Sequence, residues 1–419
     1  MKTEIGTIYI DIGSTQIKLA EMNNGGSIVQ QTFYSRDYSI SPSDQVSILL
    51  KKLPNLPQTR RICSSANGGI RVGIISLTSR FSGAAARNLA LGAGANIIFI
   101  NTLNPQSVNI TQPVDTLIFI GGIDCEGAST LKGKIASLDL KGYNFKSLIY
   151  AGNRYLASFF LSRFPQAVII PNPFVDELEV RDQSLLTYVR NLYLEDLIDK
   201  DSIRDLTSLS EVPIIPTPGI VNIAFERLSR QKSKIIIPLP CIVIDIGGAT
   251  TDIHFGVETL KLSEGMDSRL YIASNRYVFT DLGVVASRSS TLSRLSNHTR
   301  LYEFLQIVAG DLARQVYIGL REGEVTDEVL FYGCFFLALD ELSQNQSANV
   351  PVIDLNKLAS IMITGGASQV ETLNIDFFLK IFQLLTNQFG NVGGIRIILD
   401  YNYELWVDGI ASLSVHNLI

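Results

Sequence analysis

The sequence predicts an α/β protein with two similar halves that face each other across a cleft, each half beginning with a strand, a tight turn and a second strand. The tetrapeptide Ile-Asp-Ile-Gly occurs at 10–13 and again at 244–247, both times between apolar segments. β-branched residues are typical of strands, and Asp and Gly are typical of turns. From about residue 69 to 170, short apolar runs alternate with helix-compatible segments, which is typical of parallel strands joined by helices. This alternation predicts an α/β elaboration within the first half.

The first hairpin is predicted at 8–22. Its first strand ends at Asp11, Gly13 forms the turn, and the hydroxyl residues Ser14 and Thr15 precede the second strand. A glycine turn lets backbone N–H groups approach an anion closely, and hydroxyl groups add further donors. A carboxylate beside a phosphate indicates a cation between them, since Mg²⁺ in proteins is held by one or two carboxylates together with phosphate oxygens. The first hairpin is therefore a candidate magnesium-nucleotide site.

Further strands and helices are predicted along the first half. Strands near 28–35 and 61–65, with a helix at 46–53, would complete the first sheet. The charged segment Asp176–Lys200 has apolar residues at helical spacing and predicts an amphipathic helix. The elaboration is predicted to contain five strands, at Val72–Leu77, Ile97–Ile100, Thr116–Ile120, Ser147–Tyr150 and Ala167–Ile170.

The second hairpin, predicted at 235–257, has carboxylates on both sides of its turn. The turn reads Asp-Ile-Gly-Gly-Ala-Thr-Thr-Asp at 245–252 and again combines glycines, hydroxyls and carboxylates. A third turn, Gly-Gly-Ala at 365–367, follows an apolar strand that begins at Ile361. Each turn alone is also typical of an ordinary hairpin. The three together, in this order, predict one magnesium nucleotide held between two lobes.

The second half is predicted to be richer in helices. Prolines at 213, 216 and 218 mark a break, after which a helix is predicted at Ile220–Arg230. A dense apolar run at Val329–Leu339 is too short to span a bilayer and predicts a buried helix. The other elements predicted in this half are helices at Tyr302–Ile318, Asp327–Leu342, Asn374–Gln388 and Tyr403–Leu413 and a strand at Ile395–Asp400.

The three turns resemble the motifs of the actin, sugar-kinase and heat-shock-chaperone ATPase superfamily. Residues 11–15 are similar to its first phosphate motif, 245–252 to its second, and 365–367 to its adenosine motif. A closer resemblance is to the MutL/GlmL family, whose members are associated with adenosylcobalamin-dependent glutamate mutase. The segment DIGGATTDIH, which begins at Asp245, is similar to that family's second phosphate motif, and the resemblance thins after about Leu260. Other segments similar to that family are Leu91–Ala95, Gly121–Asp124, Tyr150–Asn153, Pro216–Gly219 and Asp281–Gly283.

The resemblance implies two ribonuclease H-like (actin-like ATPase) domains that face each other across a nucleotide cleft. The first domain is expected at 1–217 and includes the α/β insertion at about 70–210. The second is expected at 218–404, with an inserted subdomain at about 258–357. Residues 405–419 are expected to form a C-terminal connecting helix that returns towards the first domain.

The resemblance also implies the roles of the site residues. Asp11 and Asp245 are expected to be catalytic and to hold Mg²⁺ through water. The water-activating residue stays open, because Pro216, Thr217 and Pro218 stand where related hydrolases often place an acidic or amide side chain. The expected contacts to ATP or ADP are Gly13, Ser14, Thr15, Lys18, Gly247, Gly248, Ala249, Thr250, Thr251, Asp252, Gly365, Gly366 and Ala367.

The function implied is that of an ATP-binding switch, with ATP hydrolysis coupled to a conformational change. Its expected partner is an adenosylcobalamin-dependent mutase subunit, which it would reactivate in the manner of a chaperone. Two alternatives use the same lobes: a small-molecule kinase of the sugar-kinase type and an actin-like ATPase that forms filaments. Self-association therefore also stays open.

Composition argues against other classes of protein. The net charge of −5 lacks the basic footprint of a nucleic-acid-binding protein. No apolar run approaches the roughly 20 residues that span a bilayer, and no secretion signal is apparent, which predicts a cytoplasmic protein without membrane contact. The four cysteines are scattered and lack the spacing typical of zinc or iron–sulfur sites.

Overall fold

The structure is a computed structural model, and its described residues form three five-stranded sheets. It describes residues 5–53, 59–65, 70–103, 112–174, 183–200, 204–261, 275–309, 316, 318–319, 325–344, 352–366, 370, 372–387 and 394–413. The strands in chain order are β1 (Ile5–Ile12), β2 (Gln16–Asn23), β3 (Ile28–Ser35), β4 (Thr59–Ser64), β5 (Arg71–Ser76), β6 (Asn96–Thr102), β7 (Val114–Gly121), β8 (Phe145–Gly152), β9 (Val168–Ile169), β10 (Ile215–Pro216), β11 (Cys241–Ile246), β12 (Thr251–Phe255), β13 (Asn275–Phe279), β14 (Ser360–Gly365) and β15 (Arg396–Leu399).

Helices of the described residues connect these strands and cover the sheets. They are α1 (Pro42–Lys51), α2 (Ala84–Gly92), α3 (Ser129–Ser137), α4 (Ala157–Arg163), α5 (Gln183–Lys200), α6 (Arg204–Thr207), α7 (Thr217–Ser229), α8 (Arg288–Ser296), α9 (Leu301–Val308), α10 (Asp327–Gln344), α11 (Ile375–Thr386) and α12 (Leu405–Ala411). None of these helices is long and apolar enough to cross a membrane.

The first and second sheets have the same topology. In the first, β1, β2 and β3 form an antiparallel meander, β4 pairs in parallel with β1, and β10 pairs in parallel with β4. In the second, β11, β12 and β13 form the meander, β14 pairs in parallel with β11, and β15 pairs in parallel with β14. This repeated order confirms the predicted fold class of two ribonuclease H-like domains. The hairpins β1–β2 and β11–β12 occupy equivalent positions in the two copies.

The third sheet lies in the chain between β4 and β10 and is entirely parallel, in the order β6-β5-β7-β8-β9. All five apolar runs predicted for the elaboration are strands of this sheet. Side chains of β7 alternate between its two faces: Ile118 and Ile120 share a buried cluster with residues of α2 and α5. Leu117 and Phe119 share the other cluster with residues of α3 and α4. Helices on both faces explain why these strands are almost continuously apolar.

Helices α7 and α12 pack against each other between the first and second sheets. Their cluster joins Tyr9 of the first sheet, Val243 of the second and Trp406 of α12. A Cβ at Gly409 would collide with the carbonyl oxygen of Ile220, so glycine permits this close helix contact. The two helices correspond to the predicted connecting helices. The exact division of the chain into domains at 217/218 and 404/405 remains a proposal.

The second half follows its predicted elements over the described residues. The buried helix predicted at 329–339 lies within α10, and the strand predicted at 395–400 is β15. The helix predicted at 302–318 is seen as α9 over Leu301–Val308, and Val316 and Ile318 are also helical. Residues 310–315 and 317 of that prediction lie outside the described part of the chain. In the first half, helix α5 covers Gln183–Lys200 of the helix predicted at Asp176–Lys200, and residues 176–182 lie outside the described part of the chain.

Candidate functional site

The two hairpin turns have the same local geometry. In the first, the N–H of Gly13 donates to the carbonyl of Gln16 at 2.8 Å, and in the second the N–H of Gly247 donates to the carbonyl of Thr250 at 2.8 Å. A Cβ would lie 2.9 Å from the accepting oxygen at Gly13 and 3.1 Å from it at Gly247. Real Cβ atoms rarely come this close, so glycine allows each turn to be this tight.

The turns of the two lobes meet at one small cavity. A Cβ at Gly248 would lie 2.6 Å from the Thr15 methyl carbon, which shows how closely the second turn approaches the first. The third turn lies beside the second, since a Cβ at Gly365 would collide with the Asp245 carboxylate. Gly365 also has φ +86°, a backbone conformation that favours glycine. The cavity has a volume of about 90 Å³. Its lining residues are Gly13, Ser14, Thr15, Gln16, Lys18, Ser65, Thr217, Pro218, Asp245, Gly247, Gly248, Ala249, Thr250, Asp252, Gly365, Gly366 and Tyr403.

Asp11 in the first hairpin is fully buried and has its charge compensated by its neighbours. Lys18 stands opposite it in the β1–β2 register and donates to Oδ2 at 2.8 Å. The hydroxyl of Thr217, the first residue of α7, donates to Oδ1 at 2.5 Å, and the Cys63 thiol lies 3.5 Å from the same oxygen. The Lys18 ammonium also contacts the Tyr403 hydroxyl. Although burial by itself lowers the pKa of Lys18, the Asp11 carboxylate and Tyr403 raise it above its ordinary value, so Lys18 is charged.

Asp245 in the second hairpin lies opposite another carboxylate. Its partner in the β11–β12 register is Asp252, and directly opposite residues point to the same face of a sheet. No described side chain donates a hydrogen bond to Asp245. Burial, followed by the charge of Asp252, raises the pKa of Asp245 to about 7, and Asp11 acts in the same direction. The charges of Lys18 and Arg276 act to lower this pKa but do not outweigh burial and the acidic neighbours. A cation placed beside Asp245 would therefore compensate a charge that the described residues compensate only in part.

Asp252 is held by a buried arginine. Arg276 on β13 donates from Nε to Asp252 Oδ1 at 3.0 Å, and its terminal nitrogen lies 2.7 Å from the same oxygen. Arg276 also donates to the carbonyl of Leu91 in α2 at 3.1 Å, which links the third sheet's layer to the second hairpin. Burial nevertheless leaves the pKa of Asp252 raised. Asp252 is therefore paired with Arg276, and this pairing leaves it less able than Asp245 to bind a ligand in the cavity.

Backbone donors of the second turn remain available to a ligand. Its carbonyls are occupied, since the N–H groups of Val285 and Ala286 donate to the Gly248 oxygen at 2.9 and 2.8 Å. The N–H groups of Gly248, Ala249 and Thr250, in contrast, donate to no described residue. A row of such N–H groups in a tight turn forms an anion-binding concavity. A Cβ at Gly283 would lie 2.6 Å from the Ala249 carbonyl carbon, which explains the glycine of the Asp-Leu-Gly segment.

This donor set suits a magnesium nucleotide in its chemistry, although the cavity is too small for one. Phosphate oxygens match the available N–H groups, and the carboxylate of Asp245 matches a cation. Among the described residues no group of three or more metal-ligating side chains occurs, so phosphate and water oxygens would have to complete the coordination of Mg²⁺. Ligand sites usually measure about 300–1,000 Å³. The two lobes would therefore have to move apart to admit a nucleotide, and would close on it only as far as its volume allows.

Most of the predicted site residues line the cavity, but three differ. Asp11 is buried behind Lys18 and Thr217 and does not line it. Thr251 is fully buried and donates to the Leu282 carbonyl at 3.1 Å. Ala367 lies outside the described residues. The roles predicted for all these residues stay predictions.

Lining residues that the predicted set does not include are Gln16, Ser65, Thr217, Pro218 and Tyr403. Gln16 belongs to the first turn, and Thr217 and Pro218 lie in the segment that resembles the family, so local signals for them were present. Tyr403 had no local signal, since the residue it contacts, Lys18, is 385 positions away.

Comparison with known proteins identifies one family and one relative. The family model described as MutL protein matches residues 7–317. Protein MutL of Clostridium tetanomorphum is 24% identical over 267 residues, which are 59% of this chain and 57% of that relative. The chain thus matches less than two thirds of the relative's length.

Solved structures with a more distant likeness include two further proteins. A ROK family glucokinase from Streptomyces griseus, in complex with glucose and AMPPNP, is 12% identical with a TM-score of 0.35, covering 98% of this chain and 99% of that one. Component A of the (R)-2-hydroxyglutaryl-CoA dehydratase of Acidaminococcus fermentans is 10% identical with a TM-score of 0.34, covering 98% and 96%.

Proposed function

This chain belongs to the MutL family, and we propose from that premise that it is an ATP-binding and ATP-hydrolysing switch that reactivates an adenosylcobalamin-dependent mutase. The ATP-dependent part of the proposal is supported by the geometry of the cleft. The mutase as partner is supported by the resemblance of several segments of this chain to proteins associated with glutamate mutase. The proposal does not extend to nucleic acid or membrane partners.

One observation carries the nucleotide proposal: two equivalent glycine turns, one from each lobe, meet at a single cavity. The second turn offers the N–H groups of Gly248, Ala249 and Thr250, and the first offers the hydroxyls of Ser14 and Thr15. These groups would bind the phosphates, while Gly365 and Gly366 would lie against the adenosine. Mg²⁺, when bound, would neutralise phosphate charge and would be held by Asp245 together with phosphate oxygens.

Asp11 acts in this proposal through the groups it orients. Its carboxylate holds the Lys18 ammonium at 2.8 Å, and Lys18 lines the cavity and can reach a phosphate. It also holds the hydroxyl of Thr217 at the beginning of α7. Since α7 is one of the two helices between the sheets, a change at the phosphates is transmitted directly to an element that both lobes contact.

ATP would act by favouring the closed arrangement of the lobes. A triphosphate that binds both turns stabilises the closed cleft, and loss of the γ-phosphate removes part of that stabilisation. Converting a population from 1:99 to 99:1 requires a differential affinity of about 5.5 kcal/mol. Several N–H contacts, two hydroxyls and a cation are together sufficient for a free energy of this size, at roughly 1.5–3 kcal/mol for each hydrogen bond to a charged group.

The cavity offers few side chains that could activate a water molecule for hydrolysis. The Thr217 hydroxyl is committed to Asp11, and Pro218 has no donor or acceptor in its side chain. Asp245 is the remaining candidate base, and it would then be shared with the cation. We therefore expect slow hydrolysis by the isolated protein and faster hydrolysis when the mutase is bound.

The Asp245→Asn variant tests the nucleotide proposal. Because it removes the carboxylate charge but keeps the shape of the side chain, we expect ATP turnover to be abolished and the fold to be kept. Turnover is measured as phosphate release from ATP, and the fold by circular dichroism. Asp376→Asn, which changes an exposed aspartate of the same lobe, is the matched control and should keep full turnover. Unchanged turnover in purified Asp245→Asn would refute the site.

The partner is tested separately with a purified mutase whose cofactor has been inactivated. We expect the chain to bind the inactivated mutase in one nucleotide state more tightly than in the other and to restore its activity when ATP and free cofactor are supplied. Absence of binding with both ATP and ADP would contradict the mutase proposal and leave the nucleotide site intact. ATP consumption that rises instead with a sugar or organic acid, yielding a phosphorylated product, would identify a kinase.

A further inference from the structure

The third sheet has a topology that creates a crevice of its own. Numbered within this sheet, its strands follow the order 2-1-3-4-5, since β6 lies on one side of β5 and β7 on the other. The connection after β5 leads to β6 on one side of the sheet, and the connection after β7 leads to β8 on the other side. The space between β5 and β7 is therefore a topological switch point. In open α/β sheets, ligands bind outside the carboxyl ends of the strands at such a point.

A cavity lies at this switch point. Its lining includes Leu77 and Thr78, which follow β5, and Gly122 and Ile123, which follow β7. Its volume is about 430 Å³, compared with about 90 Å³ for the cleft between the lobes. A volume of this size is within the usual range for small-molecule sites. The cavity can therefore hold a ligand without a rearrangement of the lobes.

The loops around the cavity are held by buried amides. Asn153 is fully buried and donates to the carbonyls of Ile123 at 2.6 Å and Cys125 at 2.8 Å. Asn172 donates to the Gly122 carbonyl at 2.7 Å. At Gly122, φ is +82° and a Cβ would lie 2.5 Å from a methyl of Leu131, so only glycine fits between the loop and α3. The cavity is therefore pre-formed and does not depend on an adaptable loop.

Among the described residues, the lining is apolar with a single cation. Leu77, Phe81, Leu131 and Phe174 contribute aliphatic and aromatic surface. Lys134, on α3, is half-buried at the cavity and makes no ion pair with any described residue. A nucleotide or phosphate ester would bring two or more negative charges to a site that offers one ammonium. A ligand with one negative charge and an apolar body fits this lining better.

We propose that the cavity at the β5–β7 switch point binds a small organic acid, with its aromatic or branched body against Leu77, Phe81 and Leu131 and its carboxylate paired with Lys134. This site is separate from the nucleotide cleft and does not rest on the function proposed above. Three acids of this shape serve as probes: phenylacetate, 3-phenylpropanoate and 4-methylpentanoate. The amide of each acid serves as its uncharged counterpart.

Binding to the full chain is measured by saturation-transfer NMR and calorimetry, without nucleotide. We expect at least one acid to bind the wild-type chain and to bind Lys134→Met about tenfold more weakly, as for the loss of a charge-assisted hydrogen bond. Its amide should bind both chains equally. Lys141→Met, which changes an exposed lysine outside the cavity, should bind the acid as the wild type does. Failure of every acid to bind the wild-type chain, or equal affinity in Lys134→Met, would overturn the proposal.

Cys125 supplies a readout of location. It lines the cavity and is exposed, whereas Cys63, Cys241 and Cys334 are buried, so a thiol reagent should modify Cys125 first. A saturating acid should slow this modification several-fold in the wild-type chain, and Cys125→Ser should lose the rapid phase. An unchanged rate at a concentration that saturates binding would place the acid elsewhere and overturn the proposal.

Discussion

In the first hairpin the residue opposite Asp11 is Lys18, whereas in the second the residue opposite Asp245 is Asp252. The two hairpins have the same turn hydrogen bond, the same glycine position and the same place in their sheets. Their electrostatics are opposite, because a lysine lies opposite the aspartate in the first hairpin, whereas a second aspartate lies opposite it in the second hairpin. The comparison shows that the same backbone unit can carry an aspartate with its own ion pair in one lobe and, in the other, an aspartate that has no ion pair and would bind a cation.

The basic residue that pairs with an aspartate also lies at a different distance along the chain in the two hairpins. Lys18 belongs to the same hairpin as Asp11, while the cation that holds Asp252 is Arg276, on the neighbouring strand β13. Asp245 forms an ion pair with neither, although the charges of Lys18 and Arg276 both act to lower its pKa. The second hairpin therefore depends on the rest of its lobe and, in the proposed function, on Mg²⁺. Three predictions test this difference, beginning with the largest expected effect.

Removing Lys18 should produce the largest loss of stability. In Lys18→Met, Asp11 stays fully buried without its cation, and breaking a buried pair from one side costs about 3–5 kcal/mol in the free energy of unfolding. We expect a loss of about 4 kcal/mol, measured by urea denaturation without nucleotide. Lys51→Met, at an exposed position, should change stability by less than about 0.5 kcal/mol. A comparable small change in Lys18→Met would show that Asp11 does not need its hairpin partner.

Removing Arg276 should cost slightly less. In Arg276→Leu, Asp252 loses its buried partner, but its pKa is already raised, so protonation relieves part of the penalty. We expect a loss of about 3 kcal/mol in the free energy of unfolding, by the same method. The matched control is Arg288→Gln, which breaks the more exposed pair with Asp327 and should cost about 0–1 kcal/mol. Equal losses in the two variants would remove the distinction between the buried and exposed pairs.

The smallest expected effect is a pH dependence carried by Asp245. Its pKa rises from 3.8 to about 7 in the folded chain, so between these values the folded state binds more protons than the unfolded state. Stability must then fall as pH rises through that range. Because the cleft admits water, we expect only about 1–2 kcal/mol of this loss between pH 5 and 8.

The pH dependence is measured as the difference between the wild-type chain and Asp245→Asn, because carboxylates remote from Asp245 titrate equally in both. The difference should be absent if Asp245 is ionised throughout this range. It should also disappear when magnesium nucleotide saturates the wild-type chain, since a bound cation favours the charged carboxylate. Persistence of the full pH dependence with nucleotide would place the cation away from Asp245.

Local patterns explain which parts of the fold were predictable. The five strands of the third sheet were found because each is a short apolar run, and both hairpin turns because aspartate and glycine recur at the same spacing. The helix predicted at Tyr302–Ile318 agrees with α9 as far as Val308, and most of its remainder lies outside the described residues. Tyr403 and the commitment of Asp252 to Arg276 were missed, because each depends on a residue brought near by folding.

The amino-acid sequence by itself determined the turns, the strands and the repeated order of the two lobes, because backbone preferences and apolar periodicity act between near neighbours in the chain. Only the tertiary structure decided which carboxylate is compensated. The state of Asp245 depends on burial and on charges from Asp252, Lys18, Asp11 and Arg276, which reach it through space. The second cavity likewise exists only in the folded chain, since its walls follow strands that are neighbours in the sheet and distant in sequence.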